Sequence, residues 1–227
     1  MKIESYPLQT AIELACAAYR ANNGYLSERQ LMEKYNPDET RYTNKELMLV
    51  AMGAIDPKKY EDVPNKPVLL CTNLDDKELA GQMTKFFRRL MFAAIEGEDQ
   101  FKVDLFGILN QEEVPINKLG FVACLPQTYI RDKYELTIKQ VDQGHLADIG
   151  TELLDKDCEI IKISRSKNYD AFNVDAIIDN KLVFFQTKKE NQVGPCVILS
   201  AKVKNHFTHW KHTTVPVTAL NYVKIFQ

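Results

Sequence analysis

Apolar side chains recur every three to four residues through the first half of the chain and in short, dense runs through its last third. The first spacing is that of a helix with one buried face, and the second is that of strands. Residues 8–21 place Leu8, Ala11, Ile12, Ala15, Ala18 and Tyr19 on one helical face and stop at Asn22-Asn23-Gly24, where Asn or Gly adopts a left-handed cap. Ser27 and Gln30 form a capping-box pattern that opens a short helix through Leu31, Met32 and Tyr35, broken by Asn36-Pro37-Asp38. Asn44 is the expected cap of a further apolar run over 47–52. Three prolines between residues 56 and 67 predict a surface loop.

The longest helical signal starts at Asp75 as N-cap with Glu78 three residues on. It carries Leu79, Ala80, Met83, Phe86, Phe87, Leu90, Met91, Ala94 and Ile95 along one wide stripe. Met and Phe in such a stripe predict packing, and Lys77, Gln82, Lys85, Arg88 and Arg89 on the other face predict a solvated surface ahead of an extension of a basic groove. A helix around 101–109 and an apolar patch over 119–125, ending at Pro126, complete this part. Segment 24–52 has the outline of a helix-turn-helix, but its second helix offers only Lys45 as a basic residue. A recognition helix must present several polar or basic side chains to base edges, so packing is the better account.

From about residue 158 the apolar runs become short and rich in β-branched and aromatic residues, at 158–164, 172–178, 181–188, 197–205 and 217–226. Five strands in about 70 residues predict a small barrel or sandwich. Asp179-Asn180 suits a tight hairpin turn, and a second hairpin closes through 208–214 with Trp210 in its loop. The expected class is α+β: a helical domain over 1–144, then a five-stranded OB-like β-barrel over 145–227.

Composition changes this picture in two places. The net charge of −2 divides unevenly: residues 160–227 hold ten Lys or Arg against four Asp or Glu, so the tail is +6 and the remainder −8. A basic tail points to an acidic partner, nucleic acid first among them. The five cysteines, Cys16, Cys71, Cys124, Cys158 and Cys196, are scattered without a C-x-x-C pair, so they read as reduced core thiols. The opening residues lack a signal-peptide layout and no run is long enough to cross a bilayer, so the expectation is a cytoplasmic protein with no membrane partner.

Three stretches carry a resemblance. Asp179-Asn180-Lys181-Leu182-Val183-Phe184-Phe185 through Gly194, Ser200-Ala201-Lys202-Val203-Lys204-Asn205-His206-Phe207, and Thr218-Ala219-Leu220-Asn221-Tyr222-Val223-Lys224 together resemble OB-type barrels at the ends of phage replication and single-stranded DNA-binding proteins. The chain departs from that pattern at Ala201 and Lys202, where Gly and Thr are usual, at Lys211-His212 in place of a turn glycine, and at Asn221. The resemblance implies a DNA-binding barrel working in phage or bacterial replication or repair, alongside replication proteins.

The chemistry of such a barrel follows from its residue types. Cations track phosphates, and aromatic faces stack on bases. Lys188, Lys202, Lys204, Phe207, Trp210, Lys211 and Tyr222 are therefore the candidate contacts with single-stranded DNA or RNA, and alternation along the strand places Lys202, Lys204 and His206 on one side. The same exposed aromatics would serve a protein–protein adaptor or inhibitor. A third reading is enzymatic: Asp175 with Gln186-Thr187-Lys188 matches the Asp…(Glu/Gln)-x-Lys layout of metal-dependent nucleases, with oxygen ligands for Mg²⁺ and a lysine to orient water. Gln in place of Glu leaves that site weakly charged, so binding without turnover leads, and no cofactor is implied. His206, His209 and His212 do not share one face and have no cysteine partner, which predicts a polar loop over a zinc site.

Overall fold

A computed structural model describes residues 5–34, 41–61, 66–95, 100–166 and 168–227. Tyr35 and the expected helix stop at Asn36-Pro37-Asp38 lie outside the described residues. The chain divides into two compact units, Met1–Arg131 and Asp132–Gln227. No helix among the described residues is long and apolar enough to cross a membrane.

The first unit is helical. Its elements are α1 (Leu8–Ala21), α2 (Glu28–Lys34), α3 (Asn44–Ala51), α4 (Leu74–Ile95), α5 (Gln100–Leu109) and α6 (Leu119–Ala123), with strands β1 (Ser5–Pro7) and β2 (Glu113–Pro115) paired antiparallel. The apolar stripes meet in one core where Ala11, Ile12, Met48, Met83, Phe87 and Leu105 are sealed from solvent. Caps follow local chemistry. Ser27 and Gln30 exchange hydrogen bonds as a capping box, and α1 ends with Asn23 and Gly24 at positive φ.

Two caps differ from expectation. Helix α3 is capped by Thr43, whose hydroxyl accepts from the Glu46 N–H while Glu46 accepts from the Thr43 N–H. Asn44 is instead fully buried, accepting from the Leu26 N–H and donating to the Gly24 carbonyl, so it ties two loops together. The box at the start of α4 is one turn-step earlier than Asp75: Asn73 accepts from the Asp76 N–H, and Asp76 accepts from the Asn73 N–H and from Arg20.

Pro126 opens a helix where the sequence pattern suggested an end. Proline in the first turn lacks only a donor that would be unpaired there anyway, and α7 runs through Leu125–Gln140. The second unit takes the part of α7 from Asp132 and five strands: β3 (Glu152–Arg165), β4 (Phe172–Ile178), β5 (Lys181–Thr187), β6 (Gly194–Thr208) and β7 (Pro216–Phe226). These close a barrel in the order β3-β4-β5-β7-β6. Neighbours are antiparallel except β5 and β7, which run parallel. A closed five-stranded mixed barrel is consistent with an OB-like fold, and the whole chain is α+β. Asp179 and Asn180, both at positive φ, make the β4–β5 hairpin turn as their residue types demand.

The barrel has two apolar layers. Inside it, Ile160, Val174, Ala176, Phe185, Ile198 and Val203 form the core. Outside β4 and β5, the helix residues Tyr134 and Ile138, with Val141 just after, cover Leu182, Val215 and Val217, with Ile177 and Phe184 at the margin. Phe184 and Phe185 therefore divide as strand alternation requires: Phe185 fills the barrel, and Phe184 joins the outer layer.

Candidate nucleic-acid interface

The helix that covers β4 and β5 also brings a polar cluster to their outer face. Tyr134 donates to the Asp175 carboxylate at 2.7 Å and lies 3.2 Å from His209 Nε2. His209 Nδ1 accepts from the backbone N–H groups of Lys211 and His212. The neutral ring therefore carries its proton on Nε2, and the proton order runs His209 to Tyr134 to Asp175. Burial pushes the His209 pKa down, with His212 and Lys162 adding to the effect and Asp175 opposing it. Burial, then Asp175, pushes the Tyr134 hydroxyl up. Lys162, the cross-strand partner of Asp175, sits 4.4 Å above the Tyr134 ring.

Next to this cluster Glu135 holds Lys211 at 2.6 Å and His212 at 2.5 Å. Burial opposes its ionisation, but the two partners outweigh it and keep the carboxyl below its usual range. Lys211, one of the expected phosphate contacts, is thus engaged by an acid of the same unit. The loop between β6 and β7 is pinned to α7, and Trp210 is left projecting at 79% exposure.

Asp175 and Gln186 of the nuclease pattern share the outer face of the β4–β5 hairpin as diagonal neighbours, but each bonds another residue. Asp175 faces Phe184 across the hairpin and is bonded to Tyr134, whereas Gln186 faces Asn173 and donates to it at 2.8 Å. Lys188 lies beyond the end of β5, exposed. Among the described residues no three His, Cys, Asp or Glu side chains are grouped so as to hold a metal ion.

The other expected contacts lie on β6 and β7. Lys202 and Lys204 are both exposed on β6. A register shift between Val203 and Asn205 then reverses the alternation. It pairs His206 with the buried Thr218, and His206 turns away from the lysines to stack on His145 at 3.8 Å and bond the Ala147 carbonyl. His206 therefore does not share the face of Lys202 and Lys204: a bulge inserts one extra residue, and every later side chain changes sides. The same bulge returns Phe207 to the outer face, 40% exposed and edge-on to Phe184.

A second shift, between Ser200 and Lys202 on β6, sets two residues of β7, Tyr222 and Val223, against one of β6, Ala201. There Tyr222 takes φ +53 and stands 79% exposed. Lys202 is opposite Asn221, and Lys224 is opposite Ser200, so Tyr222 is flanked by cations. Lys202, Lys204, Lys224 and Lys188 join no ion pair among the described residues. Glu152 of β3, in register with Lys202 on its other side, tempers the positive charge there.

No family model, curated protein or solved structure matches this chain.

Two features escaped the sequence. Tyr134 and Glu135 organise the outer face, and their only signal was the i, i+4, i+7 spacing of Tyr134, Ile138 and Val141 behind a proline at a helix start. Tyr169, 68% exposed in the loop between β3 and β4, is an aromatic residue among polar neighbours, the same signal that singled out Trp210.

Proposed function

We propose that the second unit binds single-stranded DNA or RNA without turnover, on the outer surface of β6 and β7. The observation that carries this reading is Tyr222. A bulky residue held at positive φ and mostly in solvent costs stability and gains little burial, a combination that marks functional positions. Lysines without ion-pair partners among the described residues stand on either side of it, the pairing of stacking platform and phosphate contact that single strands require.

The path differs from the usual one. OB-type barrels take oligonucleotides across their second and third strands and the adjoining loops. Here that face is β4 and β5, filled by α7, so the strand is directed along β6 and β7. The loops carrying Tyr169 and Trp210 correspond to the loops such barrels use. The resemblance in the tail suggests a setting in phage or bacterial DNA replication or repair, in the cytoplasm, with replication proteins as further partners. A protein–protein adaptor is the competing reading, favoured by Leu154 and Leu199, exposed apolar residues on β3 and β6.

Fluorescence anisotropy with a labelled single strand and the matching duplex, at two salt concentrations, decides between them. Salt-sensitive binding preferring the single strand is expected. Replacing Lys202 and Lys204 by Ala should reduce the log–log salt slope by about 0.7 per contact. Trp210→Ala should weaken binding by about 1–3 kcal/mol with the slope unchanged. Absence of salt-dependent binding to either probe overturns the proposal in favour of the adaptor.

A further inference from the structure

Two thiols of the barrel face each other. Cys158 of β3 and Cys196 of β6 are direct cross-strand partners, one residue opposite the other in the antiparallel ladder. Both side chains are buried. Opposed residues on antiparallel strands have Cα atoms about 4.5–5.5 Å apart, inside the window of about 4.4–6.8 Å that a disulfide bridges. The remaining cysteines, Cys16, Cys71 and Cys124, belong to the other unit.

The pair is also reachable. Cys158 and Cys196 line a cavity of about 590 Å³ that opens to solvent, with Phe226 as an apolar wall and Asp157 and Glu159 beside the thiols. The cavity brings solvent to the edge of the pair, whose two residues also belong to the barrel core.

We infer that Cys158 and Cys196 are a site of reversible disulfide formation, oxidised in the folded protein by a small disulfide of the glutathione type. The Cys196 thiolate attacks one sulfur of the small disulfide, and the first small thiolate leaves and takes a proton from water. Cys158, deprotonated in turn, attacks the Cys196 sulfur of the mixed disulfide and expels the second small thiol. Two protein thiols and one small disulfide thus become one protein disulfide and two small thiols. The exchange balances equally with the two sulfurs in exchanged roles, since Cys158 and Cys196 face each other across one rung of the ladder. Burial raises both thiols, and so the exchange accelerates as pH rises.

The test uses the full chain. Native protein is incubated with oxidised glutathione at mildly alkaline pH, quenched with acid, then unfolded, alkylated and digested for mass spectrometry. The expected result is a Cys158–Cys196 linked peptide pair lighter by two hydrogen atoms, with Cys16, Cys71 and Cys124 not joined to either. Dithiothreitol reverses the link, and the oxidised protein melts at a higher temperature than the reduced one. Cys158→Ser should abolish the link and leave Cys196 as a mixed disulfide with glutathione. A parallel sample oxidised in denaturant should give scrambled pairs, which shows that the native fold selects the partner. Alkylation of both Cys158 and Cys196 after native treatment, or links from either to another cysteine, overturns the inference.

Discussion

Tyr222 separates the demands of folding from those of binding. Its φ of +53 is one that glycine adopts without strain, and at 79% exposure its ring adds little to the core. Tyr222→Gly should therefore stabilise the fold by up to about 1 kcal/mol, read as a rise in denaturation midpoint. The same change should weaken single-strand binding by about 1–3 kcal/mol. Opposite signs from one substitution mark a residue kept for its ligand, whereas a loss of stability would make Tyr222 structural. His209 gives a second residue-scale expectation. Its pKa is lowered by burial, as is that of His145, so the unfolded chain takes up protons that the folded chain refuses. Stability is fully present above the unfolded histidine value of about 6.5 and declines as pH falls below it. A second loss, from Glu135 and Asp76, whose carboxyls are held low by cationic partners, begins only as pH approaches the unfolded carboxyl range of about 4. Melting temperatures across this range should show the first decline, and His209→Gln should make it shallower.

The elements explain which of these residues could be read from the chain. Strand alternation placed Lys202 and Lys204 on one side of β6, and it divides Phe184 from Phe185, because period two is a property of any strand. His206 escaped that rule because the bulge after Val203 arises from how β6 fits β7, and pairing across strands leaves no trace in the spacing along one of them. Lys211 escaped for a similar reason: its acid, Glu135, lies 76 residues earlier, on α7. That clamp has a consequence for binding. Glu135→Gln keeps the shape of the side chain but removes the charge that neutralises Lys211. If the loop bearing Trp210 meets the strand, the variant should bind single-stranded DNA more tightly, with a salt slope steeper by about 0.7. Lys211→Ala in the wild-type background should change affinity less than Lys202→Ala does. Equal losses at Lys211 and Lys202 would show that the Glu135 pair opens on binding.

At the scale of the molecule, the α+β class and the five strands were legible because helical and strand periods differ along the chain, and the barrel follows from five short strands with tight turns. The closing order was not legible, and neither was the role of α7, whose charged residues mask its apolar stripe. That stripe decides how the second unit can be isolated. A fragment of residues 145–227 contains every barrel strand but lacks Tyr134, Ile138 and Val141, so it exposes Leu182, Val215 and Val217 together with Ile177 and Phe184. It also leaves Asp175 and His209 without the Tyr134 hydroxyl. Exposing a contiguous apolar patch of this kind promotes association, and each side chain uncovered forfeits about 1.5–3 kcal/mol of burial. A fragment beginning at residue 125 retains the helix and its proline start. Size-exclusion chromatography and thermal melts should find the 125–227 fragment monomeric and cooperatively folded, and the 145–227 fragment aggregated or molten. Equal behaviour of the two would mean that the barrel stands without α7, and that β4 and β5 are free to receive the single strand after all.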